Sequence, residues 1–169
     1  MLLTFEEYIK KKYNSNREKY TIAKAKKYLL FKRFCDNINI NYIKEKCKDN
    51  NNKILLYSIN SKDFKESHEI VGIIMYRVIM NTKNKLRVYL CLMSVKENMR
   101  DYGYGQILLN ELTEKFNIKK KNIEIVLLSV PESYNFYERN GFIKEDIKYI
   151  KKNEDITNNI MMKKELLVN

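Results

Sequence analysis

The stretch VKENMRDYGYGQ, residues 95–106, decides the fold of this chain. It lies between an apolar run, Leu86 to Val95, and a run with helical periodicity, Gly103 to Asn117. The apolar run predicts a strand that is covered on both faces, and the periodic run predicts an amphipathic helix. The stretch is therefore predicted to be the junction at which a buried strand passes into a helix.

Two glycines at this junction favour the binding of a phosphate group. The first amides of a helix have no intrahelical acceptor and lie at the positive end of the helix dipole. Because Gly103 and Gly105 lack a Cβ, an anion can approach these amides closely, and Arg100 adds a charged donor. The stretch is neither a P-loop nor a Rossmann fingerprint, since it lacks Gly-Lys-Ser/Thr and has only two glycines of G-x-G-x-x-G. A loop with two turn glycines is the structural alternative.

A second stretch, SVPESYNFYERNGF at residues 129–142, follows the next buried strand, Ile123 to Val130. It predicts a short helix over Pro131 to Asn140, with its proline in the first turn and Gly141 as the residue that ends it. Its two phenylalanines are expected to pack in the core. Tyr137 differs from them, because a phenol can donate a proton as well as pack.

The remaining segments add helices before the junction and strands on either side of it. The predicted helices are Phe5–Tyr13, Lys27–Ile38 and Asn41–Lys48. The predicted strands are Tyr20–Ala25, Ile54–Ile59, Glu69–Met80, Phe142–Ile150 and Ile156–Leu167. This order of elements indicates an α/β, mixed α+β sandwich, and the length of 169 residues fits a single domain, residues 1–169.

The two glycine-containing stretches, in this order and separated by one helix and one strand, resemble the GNAT superfamily of acetyl-CoA-dependent N-acetyltransferases. Residues 95–106 resemble the family's V-x-P-x-x-R-G-x-G-x-G segment, and residues 129–142 resemble its F-Y-E-x-x-G-F segment. Ile70-Val71-Gly72 resembles the family's strand before the cofactor site, so the resemblance covers about residues 69–142. It implies a mixed, mostly antiparallel sheet of six or seven strands with helices on both faces.

The resemblance also implies where the cofactor, acetyl-CoA, would bind. Its pyrophosphate would lie on the amides of Arg100, Asp101, Tyr102, Gly103, Tyr104, Gly105 and Gln106. Its pantetheine arm would pair like an added strand with the backbone of Met93, Ser94 and Val95. Tyr137 would stand near the sulfur as the acid that protonates the leaving thiolate. No metal is implied.

Tyr89, six residues before Val95, is the second candidate catalytic residue. At this position certain members of the family have a glutamate base, and some N-terminal acetyltransferases have a tyrosine. A packed strand aromatic is the structural alternative. The general base stays unassigned, with Tyr89, Glu124 and ordered water as candidates, because direct transfer needs only a neutral amine placed ~3 Å from the thioester carbon.

Three residues depart from the family pattern. Glu97 replaces the usual proline, and Val130 replaces an asparagine that is common before the last helix. Asp101 replaces the usual glycine and puts a negative charge beside the phosphate-binding amides. These departures leave open a module of the same fold that binds CoA without turnover.

The composition excludes several classes of protein. Hydrophobic residues are 44% and charged residues 32%, as in globular proteins. Three cysteines, without metal-ligand spacing, argue against a secreted disulfide framework. No apolar run approaches the ~20 residues of a membrane span, and two glutamates interrupt residues 1–9, which argues against a signal peptide. A cytoplasmic protein without a membrane partner is expected, with the nucleus as the alternative compartment.

The formal net charge of +12 would attract anions, or it reflects the codon composition of an AT-rich genome. No recognition motif accompanies it, so no specific nucleic-acid partner is expected. The predicted activity is acetyl transfer to a primary amine, first of all a protein or peptide N-terminus or a lysine, because Tyr89 is similar to those branches of the family. A small amine is the second acceptor class. Residues 5–48 would wall the acceptor groove in this family, and the oligomeric state is not predicted.

Overall fold

The computed structural model describes residues 2–13, 16, 40–60, 68–117, 122–145 and 159–166. Over these residues the strands are β1 Leu2–Thr4, β2 Lys53–Asn60, β3 His68–Asn81, β4 Lys85–Val95, β5 Asn122–Ser129, β6 Ile143–Lys144 and β7 Ile160–Leu166. The α-helices are α1 Phe5–Tyr13, α2 Ile40–Lys48, α3 Tyr104–Asn117 and α4 Tyr134–Arg139. Short 3-10 turns, Glu97–Met99 and Pro131–Ser133, precede α3 and α4.

The seven strands form one sheet in the order β1-β2-β3-β4-β5-β7-β6. The β1–β2, β2–β3, β5–β7 and β6–β7 pairs are antiparallel, whereas β4 and β5 are parallel. A parallel pair requires a crossover connection, and α3 lies between β4 and β5 in the chain. The predicted mixed, mostly antiparallel sheet is confirmed.

Two strands of the sheet contain long buried runs. In β3 every residue from Ile70 to Tyr76 is buried, with Gly72 among them, and in β5 every residue from Ile123 to Leu127 is buried. Since successive side chains of a strand point to opposite faces, such runs require cover on both faces of the sheet. The sequence predicted such burial for Leu86–Val95 and Ile123–Val130. It is confirmed for β5, whereas in β4 only Leu86, Arg87 and Val88 form an unbroken buried run and the later residues alternate between buried and half-buried up to Leu92.

The chain divides into two compact units, of which the first comprises Met1–Tyr76 and Leu92–Glu111. Within it, β1, β2 and the first part of β3 pair in antiparallel register. Gly72 lies inside β3, where an added Cβ would collide with Leu108 of α3. The glycine therefore allows helix α3 to pack directly on the strand backbone.

The second unit comprises Arg77–Cys91 and Leu112–Asn169. Its helix α4 ends at Gly141, which has a φ of +80°. The Gly141 amide donates to the Glu138 carbonyl at 2.9 Å, and the Phe142 amide donates to the Tyr137 carbonyl at 3.0 Å. These two bonds, with the Tyr137 and Phe142 rings 5.5 Å apart, make a Schellman motif, which confirms the predicted helix end.

Most of the predicted elements are confirmed, and the differences lie near the chain ends. Strand β1 was not predicted, because three residues are too few for a period. After α4 the strand comprises Ile143–Lys144 and begins one residue later than predicted, since Phe142 is buried as part of the helix end, and the last strand begins at Ile160. Residues 146–150 and 156–158 of the two strands predicted there lie outside the described residues. The predicted strand Tyr20–Ala25 and helix Lys27–Ile38 lie outside the described residues. The single-domain assignment of residues 1–169 stays a prediction.

Candidate active site

The junction after β4 forms a loop whose backbone turns sharply into α3. The Gly103 carbonyl accepts the Ile107 amide at 3.1 Å, so Gly103 is the N-cap of the helix. Its φ is +78°, a conformation that suits glycine. A Cβ added there would meet no atom within 4 Å. Open space therefore lies beside the N-cap, and any larger side chain would extend into it.

The N-terminus of α3 keeps its positive end available for an anion. The first turn contains no acidic residue. The amides of Tyr104, Gly105 and Gln106 occupy the first three helical positions, which have no acceptor within a helix. Such an arrangement binds phosphate or carboxylate groups.

Asp101 has a φ of +65°, which makes it a non-glycine residue in the left-handed region. Aspartate tolerates this region better than most residues, at some cost in energy. The residue thus keeps the turn that the family's glycine would make, but it adds an exposed carboxylate to the loop. Arg100 before it is also exposed, and its Nε donates to the Val95 carbonyl at 3.4 Å.

The end of β4 carries the residues predicted to pair with the pantetheine arm. The β4–β5 ladder ends at the Leu90–Leu127 pair, whereas β4 continues to Val95. Met93, Ser94 and Val95, all half-buried, belong to this last part of the strand. On its other side β4 is next to β3 in the sheet. Just beyond the end of β4, the Lys96 amide donates to the Val71 carbonyl of β3 at 2.9 Å.

Tyr137, the predicted acid, is buried in α4. Its ring makes edge-to-face contacts with Phe136 and Phe142 at centroid distances of 5.2 and 5.5 Å. Burial raises the pKa of Tyr137 to about 12. The phenol is therefore protonated at neutral pH and can donate a proton or a hydrogen bond.

Tyr89, the second candidate, is half-buried in the middle of β4. It lies opposite Val126 in the parallel ladder. The guanidinium carbon of Arg77 is 5.2 Å from the centre of its ring, which is a cation–π contact. Tyr89 is thus a strand aromatic with a charged neighbour, and both interpretations offered by the sequence remain compatible with its position.

Glu124, the third base candidate, is held in a buried ion pair. Its carboxylate accepts a hydrogen bond from Arg87 Nε, and Lys85 Nζ lies 3.5 Å from the same oxygen. Burial acts to raise the pKa of Glu124, but the hydrogen bond and the charges of Arg87, Lys85 and Lys163 outweigh burial and lower the pKa. A carboxylate held in this way is a poor proton acceptor, so we assign Glu124 a structural role.

Two further contacts could not be predicted from spacing. The Tyr57 and Tyr104 rings lie 6.0 Å apart, at a β-bulge of β2 and at the start of α3. The Arg87–Glu124 pair joins two strands, and its only signal in the sequence is a charged residue inside each of two apolar runs. For neither contact does the sequence indicate which two residues meet.

In the part of the chain that the structure describes, no three His, Cys, Asp or Glu side chains group as a metal site would require. None of the helices described is long and apolar enough to cross a membrane.

Comparison with known families identifies the class of protein. The family profile described as "Acetyltransferase (GNAT) domain" matches residues 50–144, which is more than half of the chain. The chain therefore belongs to the GNAT acetyltransferase family. No curated protein sequence matches the chain significantly.

Solved structures show the same fold. Tetrahymena GCN5 is 17% identical, with 89% of this chain and 90% of that chain covered and a TM-score of 0.64. Arabidopsis thaliana Naa50, solved in complex with the bisubstrate analogue CoA-Ac-MVNAL, is 21% identical, with coverage of 82% and 92% and a TM-score of 0.55. A NatC complex bound to Gag peptide and CoA is 18% identical, with coverage of 82% and 87% and a TM-score of 0.54. At these identities the likeness concerns the fold alone.

Proposed function

We propose that this protein is an acetyl-CoA-dependent N-acetyltransferase whose acceptor is a primary amine of a peptide or protein, either an N-terminus or a lysine. One observation carries the proposal: in a chain of the GNAT family, a left-handed Gly103 with open space around it stands at the N-terminus of α3. A Cβ at this position would fill the space that a phosphate group needs. A glycine at this position would leave the room that a bound diphosphate needs.

The residues of the junction suit the phosphates of CoA. The amides of Tyr104, Gly105 and Gln106 would donate to the pyrophosphate, and the exposed Arg100 would add a charge. Met93, Ser94 and Val95 would offer strand backbone to the amides of the pantetheine arm. When bound, acetyl-CoA supplies the thioester whose acetyl group is transferred.

Tyr137 is proposed as the proton donor to the leaving sulfur. In the reaction the amine nitrogen bonds to the carbonyl carbon, the carbon–sulfur bond breaks, and the sulfur takes a proton. A phenol whose pKa is about 12 retains its proton until that charge develops. Its ring contacts with Phe136 and Phe142 fix the direction from which the proton is offered.

The amine is proposed to react in its neutral form and to lose its proton to ordered water, either directly or through the Tyr89 hydroxyl, which would pass its own proton on to water. The pairing of Glu124 with Arg87 supports this assignment, because it engages the one buried carboxylate among the base candidates. No strong base is needed if the amine is held close to the thioester carbon, since positioning supplies much of the rate.

Three observations support a peptide or protein acceptor. Tyr89 stands at the position that some N-terminal acetyltransferases of the family fill with tyrosine. Structures with this fold include Naa50 with a peptide-containing bisubstrate analogue and NatC with a peptide. The charge of +12 favours neutral or acidic acceptors over basic ones. A cytoplasmic or nuclear location is proposed with this function.

The test is thiol release from acetyl-CoA with a panel of neutral, acidic and basic peptides beside polyamines and amino sugars. We expect turnover with peptides, identified as N-acetyl products by mass spectrometry. Turnover only with small amines would move the acceptor to that class. Thermal stabilisation by CoA without thiol release for any acceptor would identify a CoA-binding module instead, the alternative that Asp101 and Val130 favour.

A further inference from the structure

Tyr102 is the most exposed large apolar side chain of the described residues, with 73% of its surface accessible. It stands in the loop between two left-handed residues, Asp101 with a φ of +65° and Gly103 with a φ of +78°. Left-handed residues on both sides make this loop turn twice in succession. The ring of Tyr102 is thus held in solvent at the edge of the phosphate-binding amides.

Tyr104, the first residue of α3, gives an internal comparison. Tyr104 is half-buried, and its ring packs against Tyr57 of β2 at a centroid distance of 6.0 Å. Packing against Tyr57 therefore explains an aromatic residue at position 104. No such contact accounts for Tyr102, which has no aromatic neighbour among the residues that the structure describes.

We propose that Tyr102 is a stacking platform for the purine base of the cofactor. The inference rests on the proposed function, because it needs a nucleotide diphosphate on the Gly103 amides. In CoA the adenine is joined to the diphosphate through one ribose, so a diphosphate at Gly103 brings the base within reach of the neighbouring residue. A tyrosine ring offers a π-face, and a base stacks on such a face without needing directed hydrogen bonds.

The surroundings of Tyr102 favour a small planar ligand over a protein partner. Its exposed neighbours Arg100, Asp101 and Gln106 are polar or charged. A protein interface needs a contiguous apolar centre, whereas a single base needs one ring and a water-exposed rim. The cationic Arg100 beside it also suits a ligand that carries phosphate groups.

The test compares two ligands and four proteins. The ligands are CoA and 4′-phosphopantetheine, which keeps one phosphate of the diphosphate but lacks the other phosphate and the phosphorylated adenosine. The four proteins are the parent, Tyr102→Phe, Tyr102→Leu and Tyr102→Ala. A fifth, Tyr42→Ala, changes an exposed tyrosine of α2 and is the matched control. Dissociation constants come from isothermal titration, and thermal unfolding of each free protein checks the fold.

We expect Tyr102→Ala to weaken CoA binding by about tenfold or more, because stacking of one base contributes on the order of this factor. Tyr102→Leu should lose nearly as much and Tyr102→Phe almost nothing, since only the phenylalanine keeps the π-face. Binding of 4′-phosphopantetheine should not change in any variant. The unfolding midpoint should not change, because the side chain is exposed.

Two results would overturn the inference while leaving the proposed function intact. One is parent-like CoA affinity in Tyr102→Ala. The other is an equal loss for both ligands, which would show that Tyr102 acts on the phosphate loop and not on the base. If the parent does not bind CoA, the proposed function is overturned, and this inference with it.

Discussion

The junction loop and the charged pair of the central sheet use polar groups in opposite ways. In the sheet, Arg87 and Glu124 are buried, and the Arg87 Nε donates a hydrogen bond to the Glu124 carboxylate on the neighbouring strand. In the loop, Arg100 and Asp101 are exposed, and open space lies beside Gly103 at the start of α3. Buried charges must be paired, because desolvation without a partner is costly. Donors left open at the surface serve no purpose in stability, and they are available to a ligand.

The same contrast applies to the left-handed glycines. Gly141 has a φ of +80° and ends α4. A Cβ added at Gly141 would lie 3.7 Å from Lys164 Cε, so the space beside it is occupied by the chain itself. Gly103 has nearly the same φ but faces empty space. One glycine completes a helix end, and the other leaves room for something that is not part of the chain.

The largest effect is expected for Gly103→Val. A β-branched side chain resists a positive φ and extends into the open space, so CoA affinity should fall about a hundredfold or more, because charge-assisted hydrogen bonds to the phosphates are lost. Isothermal titration measures this loss. The control is Gly141→Ala, which is strained in the same way and should lower the unfolding midpoint but keep CoA binding. Near-parent affinity in Gly103→Val, with the fold intact, would remove the role assigned to the loop.

Tyr137→Phe should lower the rate of acetyl transfer by about 10²–10⁴-fold, because only the proton donor is lost while the ring still packs. CoA affinity should change little. The control is Tyr134→Phe in the same helix, which removes a hydroxyl that hydrogen-bonds Glu138 and should keep parent activity. Single-turnover kinetics isolate the chemical step. Since burial raises the pKa of Tyr137 to about 12, its ionisation should not contribute to the pH–rate profile below about pH 11.

An equal single-turnover rate in Tyr137→Phe and the parent would contradict the assignment of Tyr137 and indicate that water protonates the sulfur. A slower chemical step combined with an unchanged steady-state rate would show instead that product release limits turnover.

Arg87→Met tests whether the buried Arg87–Glu124 pair stabilises the sheet. It leaves the Glu124 carboxylate buried without its main partner, so the free energy of unfolding should fall by about 3–5 kcal/mol. The double variant Arg87→Met with Glu124→Met should recover most of this loss, because it removes both charges. Urea titrations measure all three proteins. If the double variant is no more stable than the single one, packing of Arg87 rather than its charge stabilises the sheet.

The same pair gives the parent a defined pH dependence. The folded protein holds the pKa of Glu124 below its unfolded value of about 4.3, so the unfolded state binds the proton first as the pH falls. The stabilisation is complete above this unfolded pKa and is lost as the pH falls through the lower, folded pKa. Urea titrations from pH 7 to pH 3 should show this loss in the parent and not in the double variant.

The smallest effect is expected for Asp101→Asn. Asparagine tolerates the left-handed backbone but carries no charge, so CoA should bind about threefold more tightly at low salt, and the gain should shrink as salt is added. The control is Glu111→Gln, seven residues along α3 and about 10 Å from its start. Asp101→Gly should add a gain in stability from the relaxed backbone. Unchanged affinity in Asp101→Asn would show that the carboxylate points away from the ligand.

Local chemistry explains what could be predicted. The end of α4 at Gly141 follows from a glycine that directly follows a helical run, and the start of α3 follows from glycines after a strand. The left-handed conformation of Asp101 could not be predicted, because aspartate in that region is uncommon and the turn depends on the residues around it. The role of Gly72 was equally hidden, since nothing near it in sequence shows that Leu108 lies above it.

The sequence by itself determined the strand–helix junction, the helix end at Gly141, the buried strands and the family. These depend on backbone preferences and on periods of two or 3.6 residues, which are properties of short segments. Only the tertiary structure decided that Glu124 pairs with Arg87, that Tyr104 packs on Tyr57, and that Tyr102 is left in solvent. Arg87 and Glu124 are 37 residues apart in the chain, and a contact of that range depends on strand register, which no local preference specifies.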